Sequence, residues 1–220
     1  MSSRAPELLV FLGCPVWACG QWGGQVYPAV TPRSGWLPWY SQTFNTVEGN
    51  STFHALPQPS AIKRWAEQAT EGFRFALKFP RTISHDLQLE NSQAATSEFL
   101  TRIEPLRAAG RLGPAFLQLG PRFGPERFPV LARFLKRLPQ DFPWAVELRH
   151  VDWFDAGDHE KRVNELLKQM GIDKVLFDSR PLFQLLPDDP LEKISQERKP
   201  RMPVRQTATG KYPLLNETAE

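Results

Sequence analysis

Residues 73–79 read FRFALKF, a nearly uninterrupted apolar run that predicts a buried β-strand. After an irregular stretch, residues 93–108 place apolar side chains at helical spacing, which predicts an amphipathic helix. The same order of strand and helix recurs on both sides of this unit. Because parallel strands are joined through helices that cover the sheet, the repetition predicts a parallel α/β architecture.

Six strand signals are legible along the chain, at residues 8–14, 46–53, 73–79, 115–119, 144–148 and 174–177. Helix signals lie between them, at residues 34–44, 59–69, 93–108, 126–138 and 159–170. A closed barrel needs eight strands and usually about 250 residues. We therefore expect residues 1–220 to form a single TIM-barrel-like (β/α)-barrel domain that is incomplete, with six to seven recognisable strands.

The last part of the chain has weaker signals. Residues 181–203 are rich in Pro, Asp, Lys and Arg and are predicted to form a long loop excursion. Residues 204–209 are a candidate for a poor seventh strand, and residues 210–220 for an irregular tail. Without an eighth unit, the chain would be a truncated product, or its sheet would stay open at one edge.

Composition and charge are those of an ordinary globular protein. Hydrophobic residues make up 41% of the 220 residues, and 27 basic against 24 acidic residues give a formal net charge of +3. This balance disfavours nucleic acid as a partner. The longest apolar runs fall far short of the roughly 18 to 20 residues of a membrane helix, and the first residues lack an extended signal-peptide core. We therefore expect a cytoplasmic protein with no membrane partner; its oligomeric state is left open.

No local motif indicates a metal or a cofactor. Cys14 and Cys19 are separated by four residues rather than by the two that are typical of zinc or redox pairs. The four histidines form no HExxH pattern, and the segments LGCP and QWGG match neither a Walker nor a dinucleotide-binding fingerprint. We therefore predict no metal site, and the cofactor stays unknown.

Polar residues interrupt the apolar strands near their carboxyl ends. Ligands of barrels and parallel sheets bind at that edge, because the loops there face a common space. Residues i and i+2 of a strand point to the same face, so Glu48 and Asn50 are expected to share a face, as are Glu147 and Arg149. A buried charge without a partner is costly, so these residues are expected to form a network of ion pairs, to bind a ligand or to lie in water. Their repetition on four strands favours a binding site.

The candidate site residues fall into two groups. The catalytic candidates, whose side chains can exchange protons, are Glu48, Glu147 and His85. The ligand-binding candidates are Asn50, Lys78, Gln118, Arg149, His150, Trp153 and Asp178. Trp17 and Trp153, at loop positions, are predicted as ligand walls, and the other tryptophans are assigned to packing.

Six segments of the chain also carry a family resemblance. They are VEGNSTFHALP (47–57), RWAEQATEGFRFALKFPRTISHD (64–86), FLTRIEPL (99–106), LGPAFLQLGPRFGP (112–125), VELRHVDWF (146–154) and LFDSRP (176–181). In this order they resemble the YecE-like family, also called domain of unknown function 72. The resemblance implies a TIM-barrel-like fold, an activity that is not established, and motif positions on the ten candidate residues above. It fades after about residue 209, which implies a truncated C-terminal part.

These residues support three hypotheses about function. The first is an enzyme or ligand-binding protein for a small anionic or phosphorylated molecule, with Lys78 and Arg149 on the anion. Glu48 or Glu147 would then be the general acid or base. The second is a metal-dependent hydrolase or isomerase-like barrel, with these ligands: Glu48, Glu147, His150 and Asp178. The third is a non-catalytic binding or scaffold protein.

Overall fold

The computed structural model describes residues 10–184, 193–194, 196–197, 201 and 215–217. Its strands are β1 (Thr46–Gly49), β2 (Arg74–Lys78), β3 (Leu112–Leu119), β4 (Trp144–Leu148), β5 (Asp173–Lys174), β6 (Leu176–Asp178) and β7 (Leu215–Glu217). Its helices are α1 (Trp36–Thr43), α2 (Ser51–His54), α3 (Pro59–Gln68), α4 (Gln93–Ala108), α5 (Phe128–Lys136), α6 (Asp158–Met170) and α7 (Arg180–Gln184). Among the helices of these ranges, none has the length and apolar character needed to cross a bilayer.

Strands β1 to β5 form one parallel sheet, in which each strand lies beside the next one along the chain. A helix lies between each strand and the next, as the crossover of a parallel pair requires. Because all five strands run in the same direction, their carboxyl ends lie at one edge of the sheet. The predicted parallel α/β architecture is confirmed. Strands β6 and β7 pair in parallel as a second, two-stranded ladder.

One face of the five-stranded sheet is apolar, and we call it the outer face. It carries Val47, Phe75, Leu117 and Val146, which are buried in one core cluster. The same cluster includes the helix residues Ile62, Phe99, Leu131 and Val163. Burial of a side chain of this size contributes about 1.5–3 kcal/mol relative to its exposure. Packing of helices on the outer face is therefore the main source of stability for the fold.

The segment predicted as the first strand, residues 8–14, is described from residue 10 onwards and is not a regular strand there. It nevertheless runs along the free edge of β1. The Asn45 side chain accepts a hydrogen bond from Leu12 N at 2.6 Å, and Glu48 N donates to Cys14 O at 3.1 Å. Gly13 is required at the closest approach, because a Cβ atom there would lie 2.1 Å from the Thr46 carbonyl oxygen. The side chain of Asn45 replaces a backbone partner, which breaks the regular ladder.

The strand predicted over residues 46–53 ends earlier, at Gly49. Asn50 adopts helical dihedral angles and precedes the short helix α2. The Thr52 hydroxyl is within hydrogen-bonding distance of the carbonyl oxygens of Gly49 and Lys78, at 3.0 and 2.6 Å. These contacts turn the chain back across the end of β2. The sequence predicted that Asn50 would share a strand face with Glu48. This prediction is wrong, because the strand ends before Asn50.

The predicted sixth strand, residues 174–177, is divided between β5 and β6, which belong to different ladders. The predicted excursion over 181–203 begins within helix α7, and most of the remainder lies outside the described residues, as does the candidate strand 204–209. Within the predicted tail, 210–220, Leu215–Glu217 forms β7 beside β6. The low apolar content of this stretch concealed the strand.

Candidate functional site

Four polar residues lie on one face of the sheet near the carboxyl ends of β1 to β4. They are Glu48, Lys78, Gln118 and Glu147. The strand register pairs Glu48 with Ala76, Lys78 with Phe116, and Gln118 with Glu147. Laterally paired residues share a face, and so do residues i and i+2 of one strand. The four side chains therefore point to the same side, opposite to the outer face, and we call it the inner face.

Glu147 is the most deeply buried charged residue of the inner face, with 0% of its surface exposed. Its Oε1 atom accepts hydrogen bonds from Gln118 Nε2 at 3.0 Å and from Arg149 Nε at 2.5 Å. The Arg149 side chain is 21% exposed, and its guanidinium carbon lies 4.4 Å from the centre of the Phe177 ring. Both donors meet the same oxygen, because Gln118 is the register partner of Glu147 and Arg149 follows it by two residues.

Glu48 lies in the same charged neighbourhood. Its pKa is raised, first by burial and then by the negative charge of Glu147. The positive charge of Lys78, a hydrogen bond donated by the Asn50 side chain, and the charge of Arg149 oppose this rise. The environment thus favours the neutral carboxyl form of Glu48. Asn50 keeps contact with Glu48 even though it has left the strand.

His85 belongs to a π-helix, Thr82–Asp86, in the loop after β2. Its Nδ1 atom lies 2.8 Å from the hydroxyl of Ser84, and its ring meets Phe53 edge to face at 5.1 Å between centroids. Burial lowers the pKa of the imidazole, and the charges of Lys78, Arg81 and Arg149 lower it further, against a smaller opposing effect of Asp86. His85 is therefore neutral over a wider pH range than an exposed histidine.

The loop that carries His85 has an unusual backbone. Single π-helical turns are rare and often occur at functional sites. Three residues after the π-helix have positive φ angles, namely Gln88 at 46°, Leu89 at 71° and Asn91 at 51°. These angles lie in the left-handed region, which residues other than glycine seldom adopt. Gly120, directly after β3, faces the ring, since a Cβ atom there would lie 3.5 Å from His85 Nε2. A side chain at position 120 would therefore lie in van der Waals contact with this nitrogen.

Lys78 completes the arrangement. Its ammonium nitrogen lies 4.3 Å from the centre of the Phe53 ring, the same ring that His85 contacts. The charges of Lys78 and Arg149 act on both Glu48 and His85. The structure thus brings seven of the predicted residues together, and we call them the strand-end cluster: Glu48, Asn50, Lys78, His85, Gln118, Glu147 and Arg149.

Three of the predicted site residues have other surroundings. His150 precedes a short 3-10 helix and accepts a hydrogen bond from Asp152 N at 3.2 Å. Trp153, predicted as a ligand wall, is 1% exposed and donates from Nε1 to Phe123 O at 2.7 Å, so it is a core residue. Asp178 is paired with Arg180, whose guanidinium holds the pKa of the carboxyl group below its ordinary value.

The second predicted ligand wall, Trp17, also contributes to packing. Its ring meets Trp65 edge to face at 4.8 Å between centroids and contacts Phe75 on the outer face. The 3-10 helix of Trp153 and the packing of the N-terminal segment turn both indole rings away from the inner face. A loop position in the sequence does not determine that direction.

Four residues of the site were not singled out by the sequence. Phe53 and Phe177 place their rings beside Lys78 and Arg149, and Ser84 and Gly120 surround His85. Phe53 and Phe177 look like ordinary strand residues in the sequence. Their proximity to the two cations depends on tertiary packing, so no local signal marks them. Ser84 could have been noticed only as the immediate neighbour of His85.

The described residues contain no group of three or more His, Cys, Asp or Glu side chains that could hold a metal ion. Of the four ligands in the metal hypothesis, Glu48 and Glu147 lie in the strand-end cluster. His150 and Asp178 interact with their own sequence neighbours, Asp152 and Arg180. The four side chains do not form a common coordination sphere.

Fold and site together define a parallel α/β protein with a buried cluster of charged residues at the carboxyl ends of its strands. The sequence matches the model of a family described as protein of unknown function DUF72 over residues 11–215. The chain belongs to this family, and the resemblance found in the sequence is confirmed. The chain is also 40% identical over 207 residues to the UPF0759 protein YecE of Escherichia coli strain K12. The aligned residues cover 94% of this chain and 73% of YecE.

Two solved structures of DUF72 family proteins resemble the fold. One, from Thermotoga maritima MSB8, has a TM-score of 0.70 and 24% identity, and the match covers 96% of this chain and 74% of that protein. Another, from Enterococcus faecalis V583, has a TM-score of 0.58 and 22% identity, with 76% of this chain covered. The match spans 62% of the length of the Enterococcus protein. At these identities, the likeness is one of fold.

Proposed function

We propose that this chain forms a TIM-barrel-like domain, located in the cytoplasm, that binds a small anionic or phosphorylated molecule at the strand-end cluster and catalyses proton transfer on it. The order of the strands supports the barrel. Neighbours in the sheet follow the order of the chain from β1 to β5, as in a barrel. In a doubly wound sheet the order reverses at a switch point.

The observation that carries the proposal is the position of two cations. Lys78 lies at the carboxyl end of β2 and Arg149 directly follows β4. The charges of both act on Glu48 and His85. Glu147 forms an ion pair with Arg149, and the environment favours the neutral form of Glu48. Within the strand-end cluster the two cations therefore outnumber the carboxylate charge. Charge-assisted hydrogen bonds from such groups are the usual means of holding carboxylate or phosphate oxygens.

Acid–base chemistry is supported by Glu48 and His85. Burial raises the pKa of Glu48 and lowers the pKa of His85, so the environment favours the neutral form of each. A neutral carboxyl group donates a proton and a neutral imidazole accepts one, which is the pairing that general acid–base catalysis needs. Asn50 orients Glu48, and Gln118 with Glu147 orients Arg149.

The experiment that tests anion binding is a titration with inorganic phosphate at low salt, followed by calorimetry. We expect Lys78→Met to weaken phosphate binding at least about tenfold, because it removes one of two converging charges. The matched control is Lys63→Met, since Lys63 is exposed on helix α3 and pairs with Glu67. Equal affinity of Lys78→Met, Lys63→Met and the unchanged protein would contradict the proposal.

Turnover is tested separately from binding. Phosphate esters that bind are incubated with the protein and followed by NMR, and the same samples are repeated with Glu48→Gln. We expect a chemical change in the ester that Glu48→Gln slows about a hundredfold or more, the typical contribution of a general acid or base. A bound ester that stays unchanged would make the protein a binding protein.

A further inference from the structure

Two hydrogen-bond acceptors of the strand-end cluster have no donor among the described residues. One is Glu147 Oε2, and the other is Asn50 Oδ1; both atoms are buried. The two residues are otherwise well connected, since Glu147 receives both of its donors on Oε1 and Asn50 donates to Glu48. The acceptors are thus left over after the internal contacts of the cluster have formed.

Unsatisfied buried acceptors are rare because they are costly. The large majority of buried polar atoms have a partner, and leaving one without costs about 1–3 kcal/mol, or more for a charged group. The carboxylate of Glu147 is fully buried, so bulk water does not relieve this cost. A partner that brings hydrogen-bond donors to both atoms would remove it.

Below the strand-end cluster, the inner face is apolar and supplies no side-chain donors. Phe116 and Ala145 precede Gln118 and Glu147 by two residues on the same face, and with Val175 they form a small apolar cluster separate from the main core. This apolar floor lies below the strand-end cluster. Donors must therefore come from the side at which the strands end, where the proposed ligand binds.

We infer that the molecule bound at the strand-end cluster carries hydroxyl or amine groups in addition to its anionic group. One donor meets Glu147 Oε2 and another meets Asn50 Oδ1, while Lys78 and Arg149 face the anion. The ligand class is a hydroxylated anion, such as a phosphorylated polyol or sugar. The inference rests on the proposed function and narrows it, since a bare anion offers too few donors for both acceptors.

The test compares phosphate esters that differ only in donors. Propyl phosphate and glycerol phosphate have the same carbon skeleton, and ribose phosphate and glucose phosphate extend the hydroxylated set. We expect the best hydroxylated ester to bind at least about tenfold more tightly than propyl phosphate, because a site built for hydroxyl groups rejects analogues that lack them. The measured quantity is this affinity ratio, obtained by calorimetry.

Two variants test whether the acceptor of Asn50 contributes to the affinity ratio. Asn50→Leu removes one acceptor, and the affinity ratio should fall severalfold towards one. The matched control is Asn164→Leu, because Asn164 lies on helix α6 and accepts from Lys174 outside the cluster. The ratio should keep its original value in Asn164→Leu. If Asn50→Leu fails to fold, the ratio in the unchanged protein decides alone.

The outcomes separate this inference from the proposed function. Equal binding of propyl phosphate and all hydroxylated esters would overturn the inference, with water serving the two acceptors, and would leave the anion site intact. Binding of glycerol or glucose, lost in Asn50→Leu, without binding of any phosphate would overturn the anion site and support the donor requirement. Failure of all these compounds to bind would overturn both.

Discussion

The outer and inner faces of the five-stranded sheet are built from alternate residues of the same strands. The outer face stabilises the folded protein, whereas the inner face lowers its stability. Val47, Phe75 and Leu117 bury apolar surface under the helices on the outer face. Glu48 and Glu147 place carboxyl groups in buried surroundings on the inner face. The outer face stabilises the fold, whereas the inner face is costly to maintain, a cost that the proposed ligand would offset.

The largest effect is expected from a cavity on the outer face. Phe75→Ala should lower the free energy of unfolding by about 3–5 kcal/mol, because the ring is completely buried and its contacts cannot all close. Urea denaturation measures the loss. Val30→Ala is the control, since Val30 is 93% exposed and its change should stay within about 0.5 kcal/mol. A loss below about 1 kcal/mol for Phe75→Ala would contradict the packing described here.

A somewhat smaller effect is expected from breaking the ion pair of the inner face. Arg149→Ala leaves the buried carboxylate of Glu147 without its countercharge, which should lower stability by about 3 kcal/mol. Adding Glu147→Gln to Arg149→Ala should restore part of the loss, because the uncompensated charge is then removed. A double-mutant cycle by urea denaturation measures this coupling. Additive losses would show that the pair is not coupled.

The smallest effect, and the one with opposite sign, is expected for Glu48→Gln. Because the pKa of Glu48 is raised, the native protein holds a proton that the unfolded chain has released above pH 4.5. The stability of the unchanged protein therefore falls as pH rises through the window between 4.5 and the native pKa, and the cost persists above it. Glu48→Gln should be more stable at pH 8, by about 1 kcal/mol.

Thermal unfolding at several pH values checks this difference. Below pH 4.5 both forms of the protein carry a neutral side chain at position 48, so their stabilities should converge. The lowered pKa of His85 reduces stability as pH falls below 6.5, but it does so in both proteins and cancels in the difference. A difference that is independent of pH would contradict the raised pKa of Glu48.

The contrast between the faces also shows what the sequence can predict. Strand β2 was predicted at 73–79 and lies at Arg74–Lys78, because an apolar strand between helices leaves a periodic signal. Gln118, Glu147 and Arg149 stood out as polar residues in apolar strands, and the structure places them in direct contact. Pattern and chemistry therefore predicted the centre of the strand-end cluster.

The sequence did not predict the direction in which side chains point or which residues distant in the chain lie close together. Asn50 left the strand because Thr52 hydrogen-bonds across to β2, and Trp153 became a core residue through a 3-10 helix and a contact with Phe123. The rings of Phe53 and Phe177 reach the cations only through tertiary packing. These features depend on residues distant in the chain, which local periodicity does not report.

The most direct test of the central claim is an NMR titration of the His85 ring, assigned with His85→Asn. Burial lowers the pKa of His85 below 6.5; if Lys78 and Arg149 also converge on this residue, its pKa rises in Lys78→Met. Saturating phosphate should raise it as well, because the bound anion offsets the two positive charges. A pKa of His85 at or above 6.5 that neither Lys78→Met nor phosphate changes would contradict the account.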